Sequence, residues 1–520
     1  MPRATYRLPL YFLVNVAFAT LVAVALGGGG LPNPRWFYLI LLFALCSTPI
    51  IDLDGLNGRY TLLALFMFVY FISFGAVDLT DMFTGLDASG LPDLPSMQTT
   101  SNLLDGAEIL ILVGGVMLVV GYRIAVFVGS ARRSRRVPLD WSRSAILILG
   151  LIFWIAGTIA TYRWNVYIIP DTTNEAYRKG LASISQAVTT VYLLVQMCQP
   201  LGVLLLAYAW SVTRRTYLLA LVIVMVVLQI FIGFVIDVKG LAMLGIILVA
   251  VTRILIDGRL PKVWLAAGLV FVVFVYPYFT AYRTAIHGAG ISRTAVVEHF
   301  GEILQKTIAA KDQVNSGKER AQTFLERSNV KASVEIFVLK TGHGVEFQSG
   351  HTLSPILQAF VPKILWPDKP RIPTGQLFNK QFHLYDSDDV FISPSHLGEL
   401  YWNFGWPGAV LGMALIGSIC GWIGARFNLS EFRSVTRILV TVITIKQLIV
   451  VFESSIDDCY VTWLRSLACI GILHLAFARV PAVGRFLRPT GNVPKAIGAA
   501  SQSPSADRDG GERFFPHLMT

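Results

Sequence analysis

Long apolar segments recur along the whole chain, and their length predicts membrane-spanning helices. A helix needs about 20 apolar residues to cross a bilayer, and about twelve stretches approach that length. They lie near residues 8–26, 36–51, 61–79, 107–129, 144–162, 187–210, 216–236, 240–256, 263–282, 406–425, 436–452 and 460–478. The first stretch lacks a small-residue cleavage site, so we expect a retained span and not a signal peptide. The pattern predicts an all-α polytopic membrane protein.

Composition agrees with this prediction and excludes several other classes. Hydrophobic residues make up 54% of the chain and charged residues only 14%, against about 25% in soluble domains. The net charge of +11 follows from basic cytoplasmic loops, so we expect no nucleic-acid partner. The five cysteines lie in or beside apolar stretches without paired spacing, which indicates neither a disulfide framework nor a zinc site.

The charges of the loops predict the orientation. If the spans alternate, the basic segments 131–144, 212–217 and 252–262 fall on one side of the membrane, together with the tail after the last span. The acidic segments 77–97 and 453–460 fall on the other side. The excess of Lys and Arg in cytoplasmic loops therefore predicts that both termini are cytoplasmic.

The spans divide the chain into four predicted regions. Residues 1–282 contain spans one to nine, and residues 283–405 form one large, partly helical loop outside the cytoplasm. Residues 406–488 contain the last three spans. Residues 489–520 are rich in Pro, Gly and Ser, which predicts a disordered cytoplasmic tail. Within the large loop, the periodicity predicts helices near 292–313 and 316–339.

A proline-rich stretch of the large loop carries three cations. Prolines at 362, 367, 370 and 373 exclude a regular helix, and Trp366 suits a membrane interface. Lys363, Lys369 and Arg371 have two interpretations. They either anchor the loop at the lipid headgroups or form a rigid cationic site for phosphate.

A polar stripe precedes the tenth span. Ser393 is the expected N-cap of a helix on which His396, Glu399 and Asn403 share one face. Gly405 and Pro407 should bend or restart this helix where the apolar run begins. The stripe is either a helix-packing contact or a functional site at the outer mouth of the span. We favour the functional interpretation because three polar groups converge beside the large loop.

Further cations fall at the predicted outer side. Lys239 lies in a tight turn, where it could simply pair with Asp237, Arg283 ends the ninth span and Lys446 lies inside the eleventh. Cations at a membrane surface suit a lipid-linked diphosphate, which they would bind and stabilise as a leaving group. Glu399 or His396 would take a proton from an incoming hydroxyl.

This chemistry needs no metal or other cofactor. The one Asp-x-Asp triplet on the outer loop, at 386–388, is most simply a solvated acidic surface. A nucleotide-sugar donor would require a soluble cytoplasmic domain, and no predicted cytoplasmic loop is long enough to form one. The residues therefore favour metal-independent glycosyl transfer from a polyprenyl-diphosphate sugar.

Two segments resemble one known family. The run HLGELYWNFGWPG at 396–408 resembles the GE-x-Y-x-NFG-x-x-G pattern of bacterial O-antigen polymerases of the Wzy type. FVPKILWPDKP at 360–370 is similar to a stretch that precedes this pattern in many of those proteins, and the VKG turn at 238–240 is similar to their cation-glycine turn.

The resemblance implies a fold of the GT-C glycosyltransferase type in the bacterial inner membrane. Such enzymes join undecaprenyl-diphosphate-linked repeat units into O-antigen, capsule or exopolysaccharide on the periplasmic face, and a chain-length regulator protein is an expected partner besides membrane lipids. The resemblance also implies essential periplasmic arginines. Here Arg283 is the closest positional match, and Lys239 stands where relatives have a cation.

We therefore predict three catalytic residues and six substrate-binding residues. The catalytic candidates are Glu399, His396 and Arg283. The binding candidates are Lys239, Lys363, Lys369, Arg371, Asn403 and Lys446.

Two other functions compete with polymerisation. O-antigen ligases share the donor chemistry, but His396 does not meet their histidine-to-glycine spacing with either Gly405 or Gly408. A lipid-linked oligosaccharide flippase should have polar groups at the membrane midplane and internal repeats. The sequence has few such groups and no visible repeat.

Overall fold

The described part of the chain is built from helices. The computed structural model describes residues 34–51, 61–84, 104–130, 143–168, 186–236, 238–257, 262–270, 282, 286, 293–303, 305, 330–359, 361, 366, 372–385, 390–427 and 435–479. Within these residues the only β-type pairing is an isolated bridge between Thr341 and Val345. The prediction of an all-helical fold is confirmed for this part of the chain.

The helices are numbered α1 to α16 in chain order. The first nine are α1 Pro34–Ile51, α2 Thr61–Thr84, α3 Gly106–Ser130, α4 Arg143–Arg163, α5 Gln186–Gln196, α6 Cys198–Thr213, α7 Thr216–Val235, α8 Lys239–Asp257 and α9 Lys262–Val270. The others are α10 Arg293–Glu298, α11 Val330–Lys340, α12 Ser354–Gln358, α13 Thr374–Phe382, α14 His396–Arg426, α15 Val435–Thr444 and α16 Ile456–Arg479. Short π-helical segments follow α4 and α15, at Trp164–Ile168 and Ile445–Val450.

Seven helical segments in the described residues are long and apolar enough to cross a membrane. They are Thr61–Leu79, Gly106–Gly129, Ser144–Ile168, Leu194–Thr213, Thr216–Val235, Gly240–Asp257 and His396–Arg426. Each overlaps a predicted span, so the protein is a polytopic helical membrane protein.

The remaining five predicted spans do not appear as long membrane-crossing helices in the described residues. The span at 36–51 corresponds to a shorter apolar helix, Trp36–Pro49. The spans at 436–452 and 460–478 are helical but do not count among the seven. The span at 8–26 and most of the span at 263–282 lie outside the described residues. The total of about twelve stays a prediction.

Large apolar side chains are exposed along one side of the spanning helices. On α3 they recur at helical spacing, at Ile109, Val116, Val120, Ile124 and Phe127, and Phe127 is 82% exposed. A contiguous apolar stripe of this kind is unusual on a water-soluble protein. It is the surface that a lipid-facing helix requires.

Glycines allow α3 and α14 to pack at very short distance. A Cβ atom placed on Gly121 would lie 2.0 Å from the carbonyl oxygen of Ala414, and one on Gly417 would lie 2.1 Å from that of Leu118. Small residues at such contacts let helix backbones approach closely in membranes. Over the whole interface the contacts advance in the same direction along both helices, from Gly114 against Leu397 to Gly129 against Ala425, so α3 and α14 run parallel.

Helices α4 and α6 make a second close contact, in which the two helices run in opposite directions. Gly157 lies against the backbone of Gln199, and Gly202 lies against the backbone of Trp154. Residue numbers fall along one helix as they rise along the other, so the pair is antiparallel. Both arrangements agree with the predicted alternation, in which spans four and ten run one way and span five runs opposite to span six.

Two ion-pair groups join segments that the sequence predicted to share a side. Arg214 and Arg253 both pair with Asp257, which connects two predicted cytoplasmic loops. At the predicted outer end, Lys331 of the large loop pairs with Asp78 and Glu108, at the ends of α2 and α3. The large loop therefore packs on the end of the bundle that the sequence assigned to it.

Lys331 is the centre of this second group, the Lys331 cluster. Its Nζ lies 2.8 Å from Asp78 Oδ2 and 2.9 Å from Glu108 Oε1, and it lies 4.6 Å from the ring centroid of Tyr38. Burial alone would lower the pKa of Lys331, but the carboxylates outweigh it and raise that pKa above its usual value. Burial raises the pKa of the partly buried Glu335, 3.8 Å from Lys331, to about 7.

We predict that Lys331→Met strongly destabilises the protein. The substitution leaves the carboxylates of Asp78 and Glu108 buried without a cation, and breaking a buried pair in this way costs about 3–5 kcal/mol. Thermal unfolding in detergent should show a lower midpoint than wild type. The exposed Lys262→Met is the control, and adding Asp78→Asn should restore part of the loss. An unchanged midpoint for Lys331→Met would contradict this role.

Candidate functional site

The helix that carries the polar stripe begins later than the sequence predicted. Its N-cap is Ser395, and the Ser395 hydroxyl accepts a hydrogen bond from the backbone N–H of Gly398 at 3.1 Å. The backbone N–H of Ser395 donates to the carbonyl of Glu453 at 2.9 Å. The prediction of Ser393 as N-cap is therefore wrong, because contact with the segment before α16 places the helix start at Ser395.

The predicted bend in this helix is confirmed. Gly405 has φ 63° and ψ −150°, and Pro407 follows it, so α14 consists of two helical parts joined at Gly405. A positive φ suits glycine, which has no Cβ to collide with the backbone. The bend separates the polar stripe at 396–403 from the apolar part of the helix.

Glu399 joins two separate parts of the chain to α14. Its side chain is fully buried. Oε1 accepts a hydrogen bond from the hydroxyl of Thr352 at 2.7 Å, and Oε2 accepts one from the backbone N–H of Ile456 at 2.7 Å. Ile456 is the first residue of α16, so Glu399 satisfies a backbone donor that the helix itself leaves unpaired. A carboxylate at a helix N-terminus is also electrostatically favourable.

Asn403 uses its whole amide group in the same network. Its Nδ2 donates to the hydroxyl of Thr352 at 2.7 Å and to the carbonyl of Glu399 at 2.8 Å. Its Oδ1 accepts a hydrogen bond from the backbone N–H of Gly350 at 2.9 Å. Glu399, Asn403 and Thr352 are named here the Glu399 network, and together they fix residues 350–352 of the large loop to α14.

His396 is buried on the same stripe but takes no part in this network. Its ring packs edge-on against Phe452 at 4.9 Å between centroids and lies 5.7 Å from the ring of Tyr460. Neither ring nitrogen has a hydrogen-bond partner among the described residues. The structure therefore places His396 in an aromatic environment between α14, the end of the Ile445–Val450 segment and α16.

The remaining predicted site residues are not joined to the Glu399 network by any contact that the structure describes. Lys446 lies in the π-helical segment Ile445–Val450 and is partly buried. Lys239 is the first residue of α8. Four predicted cations lie outside the described residues, namely Arg283, Lys363, Lys369 and Arg371. Their relation to Glu399 stays a prediction.

Carboxylates are concentrated where the Glu399 network meets α16. Asp457 and Asp458 occupy the first turn of α16. Burial, and next the neighbouring Asp458, raise the pKa of Asp457 to about 6. The network thus lies in an acidic environment, which favours hydrogen bonds to neutral donors over binding of an anion at this point.

An aromatic cluster holds the large loop against the same stretch of α14. The rings of Phe337 and Phe378 stack at 4.3 Å between centroids, and those of Phe337 and Trp402 stack at 5.3 Å. Phe382 packs edge-on against the first two and Trp402. All four side chains are fully buried. The cluster packs α11 and α13 of the predicted large loop against α14.

Two structural features of this region were not predicted from the sequence: the role of Thr352 and the Lys331 cluster. Nothing near Thr352 indicates that its hydroxyl bridges Glu399 and Asn403, because the three residues are brought together only by the fold. The Lys331 cluster did have a signal, since acidic residues end two spans and a lysine lies in the loop on the same side. Buried charges of this kind pair with one another.

In this arrangement the Glu399 network is suited to positioning. Both carboxylate oxygens of Glu399 already accept hydrogen bonds, and the side chain has no exposed surface. To act as a general base, Glu399 would have to leave Thr352 or Ile456 and reach an acceptor hydroxyl. Within the described residues, no group of three or more His, Cys, Asp or Glu side chains could hold a metal ion.

The comparisons with known proteins add no family to this geometry. No protein-family model matches the chain, and neither a curated protein nor a solved structure matches it.

We predict that Thr352→Val lowers the free energy of unfolding by about 1–3 kcal/mol. The substitution removes a donor to Glu399 and an acceptor for Asn403, and it leaves buried polar groups unpaired. Thermal unfolding of the purified protein in detergent measures the change. The matched control is Thr213→Val, since the Thr213 hydroxyl donates to the carbonyl of Ala209 in its own helix. Equal midpoints for the two variants would contradict the role of the network.

Proposed function

We propose that this protein is a polysaccharide polymerase that joins polyprenyl-diphosphate-linked oligosaccharide repeat units at the periplasmic face of a bacterial inner membrane. The observation that carries the proposal is the buried connection of α14, the large loop and α16 through Glu399 and Asn403. The segment that resembles the polymerase pattern is the segment that holds these three elements together. The outer end of the bundle is thereby ordered beside the bilayer, where a lipid-linked substrate must react.

The proposed reaction is a glycosyl transfer without a metal ion. A hydroxyl of one repeat unit attacks the anomeric carbon of a second chain that is attached to the polyprenyl diphosphate. The bond between that carbon and the phosphate oxygen breaks, and the diphosphate leaves with the lipid. The hydroxyl proton passes to a base or to water. Cations at the membrane surface stabilise the negative charge of the leaving diphosphate.

The proposed roles of the residues differ according to their surroundings. We assign Glu399 and Asn403 to positioning, because their polar atoms are engaged with Thr352, Gly350 and Ile456. The cations Arg283, Lys239, Lys363, Lys369, Arg371 and Lys446 are proposed to bind the diphosphate. A base role for Glu399 or His396 stays a prediction.

Deletion of the gene in its native host tests the proposal directly. The expected product is a surface polysaccharide of single repeat units, detected by gel electrophoresis, because export continues while polymerisation stops. Lipid-linked repeat units trapped in the cytoplasm would instead indicate a flippase. Full-length polymer retained on the lipid carrier would indicate a ligase. Either of these results, or unaltered polymer, would contradict the proposal.

A substitution at Arg283 tests the proposed chemistry separately from the fold. Removing a group that stabilises developing charge typically costs about 100-fold or more in rate. We therefore expect Arg283→Ala to insert at wild-type levels and to yield little long-chain polymer. Arg163→Ala is the control, since Arg163 is exposed at the predicted outer end of α4. Full-length polymer from Arg283→Ala would contradict the role of this cation.

A further inference from the structure

A cleft of about 430 Å³ lies in the large loop beside the Glu399 network. It is lined by the turn Gly344, Val345, Glu346, Phe347 and Gln348, with Gln381 of α13 opposite. Its volume falls within the range of about 300–1,000 Å³ that is usual for ligand sites. Neither the resemblance nor the analysis of the stripe assigns a role to any of these residues.

The wall of the cleft is held in one conformation by backbone hydrogen bonds. Gly342 and Gly344 have φ of 82° and 142°, and the N–H of Gly342 donates to the carbonyl of Val345 at 2.8 Å. The N–H of Gln348 donates to the carbonyl of Trp402 at 3.0 Å. The cleft is therefore anchored directly to α14, and a ligand would meet a preformed surface.

The polar groups of the cleft suit hydroxyl groups. Gln348 Nε2 donates to Gln381 Oε1 at 2.8 Å, which orients both amides. Gln348 Oε1 can still accept and Gln381 Nε2 can still donate, while the exposed carboxylate of Glu346 adds acceptors. None of the described residues that line the cleft is a Lys or an Arg. A phosphate or another anion would be repelled, and an acyl chain would leave these polar groups unpaired.

An aromatic ring completes the cleft. Phe347 is 43% exposed, and its ring lies 6.5 Å from that of Tyr401, which in turn lies 6.3 Å from that of Trp406. Aromatic rings offer flat apolar surfaces of the kind that the C–H face of a sugar ring can contact. The row of rings leads from the cleft to the bend of α14 at Gly405.

We propose that this cleft is a binding subsite for a neutral sugar of the growing polysaccharide. The inference deepens and rests on the proposed function, because it assigns the uncharged glycan to the cleft and the diphosphate to cations elsewhere. The amides and Glu346 bind sugar hydroxyls, and Phe347 contacts the ring. The subsite holds the chain beside the outer end of α14 while the next unit is added.

Binding of free glycans to the purified full-length protein in detergent tests the subsite. The probe is an array of neutral oligosaccharides that includes glucose, galactose, mannose, N-acetylhexosamine and deoxyhexose units, without any lipid or diphosphate. We expect binding to at least one neutral glycan. Gln381→Ala should weaken it about tenfold, since the loss of a hydrogen bond and a preorganised partner is of that order. Phe347→Ala should weaken it similarly.

The matched controls lie outside the cleft. Gln376→Ala removes a glutamine from the same helix α13, and Glu302→Gln neutralises an exposed carboxylate away from the cleft. Both should bind as wild type does, whereas Glu346→Gln should weaken binding. Absence of binding to every neutral glycan would overturn the inference. So would binding that Gln381→Ala and Phe347→Ala leave unchanged, or binding of charged glycans alone.

The glycan assay tests the subsite and the deletion experiment tests the polymerase function, so one proposal can be refuted while the other is retained. Glycan binding that depends on Gln381, in a protein whose deletion leaves the polymer unaltered, would refute the proposed polymerase and retain a glycan site. Single repeat units in the deletion strain, with no glycan binding to the protein, would retain the polymerase and refute this subsite.

Discussion

The outer end of this protein depends on one buried carboxylate. Glu399 accepts hydrogen bonds from a hydroxyl in the large loop and from the first backbone N–H of α16, while its own helix continues past a bend into the membrane. An unpaired carboxylate at this buried position would be costly, so these hydrogen bonds favour the packed arrangement of the three elements. Asn403 and Thr352 extend this constraint to the loop backbone, and the aromatic cluster around Trp402 supports it from the other side.

Carboxylates occur in two places at the same end of the molecule. The Lys331 cluster and the acidic start of α16 both place carboxylates at or next to the packed helices. Lys331 pairs with Asp78 and Glu108, and the hydroxyl of Ser455 donates to Asp458. The cations proposed to bind a diphosphate belong to other segments, whereas the cleft beside α14 is lined by amides and one carboxylate. This division would let a lipid diphosphate and a neutral glycan chain bind at different places on one face.

The sequence predicted the fold far better than the site. Apolar length and loop charge predicted the helical class, the positions of the seven spans found in the described residues and the relative directions of α3, α14, α4 and α6, because these depend on local composition. The stripe of His396, Glu399 and Asn403 was also visible from spacing. Its partners were not, since Thr352 and Ile456 are distant in the chain and join it only through tertiary hydrogen bonds. Ser395 replaced Ser393 as N-cap for the same reason.

Hydrogen–deuterium exchange on Glu399→Gln tests the central role of this carboxylate most directly. A glutamine amide can accept at only one of the two positions, so either Thr352 or the N–H of Ile456 loses its partner. We predict faster exchange than in wild type in peptides covering residues 348–353 and 454–458, with exchange in α7 unchanged. Wild-type exchange in both of the first two peptides would show that Glu399 does not hold these elements together.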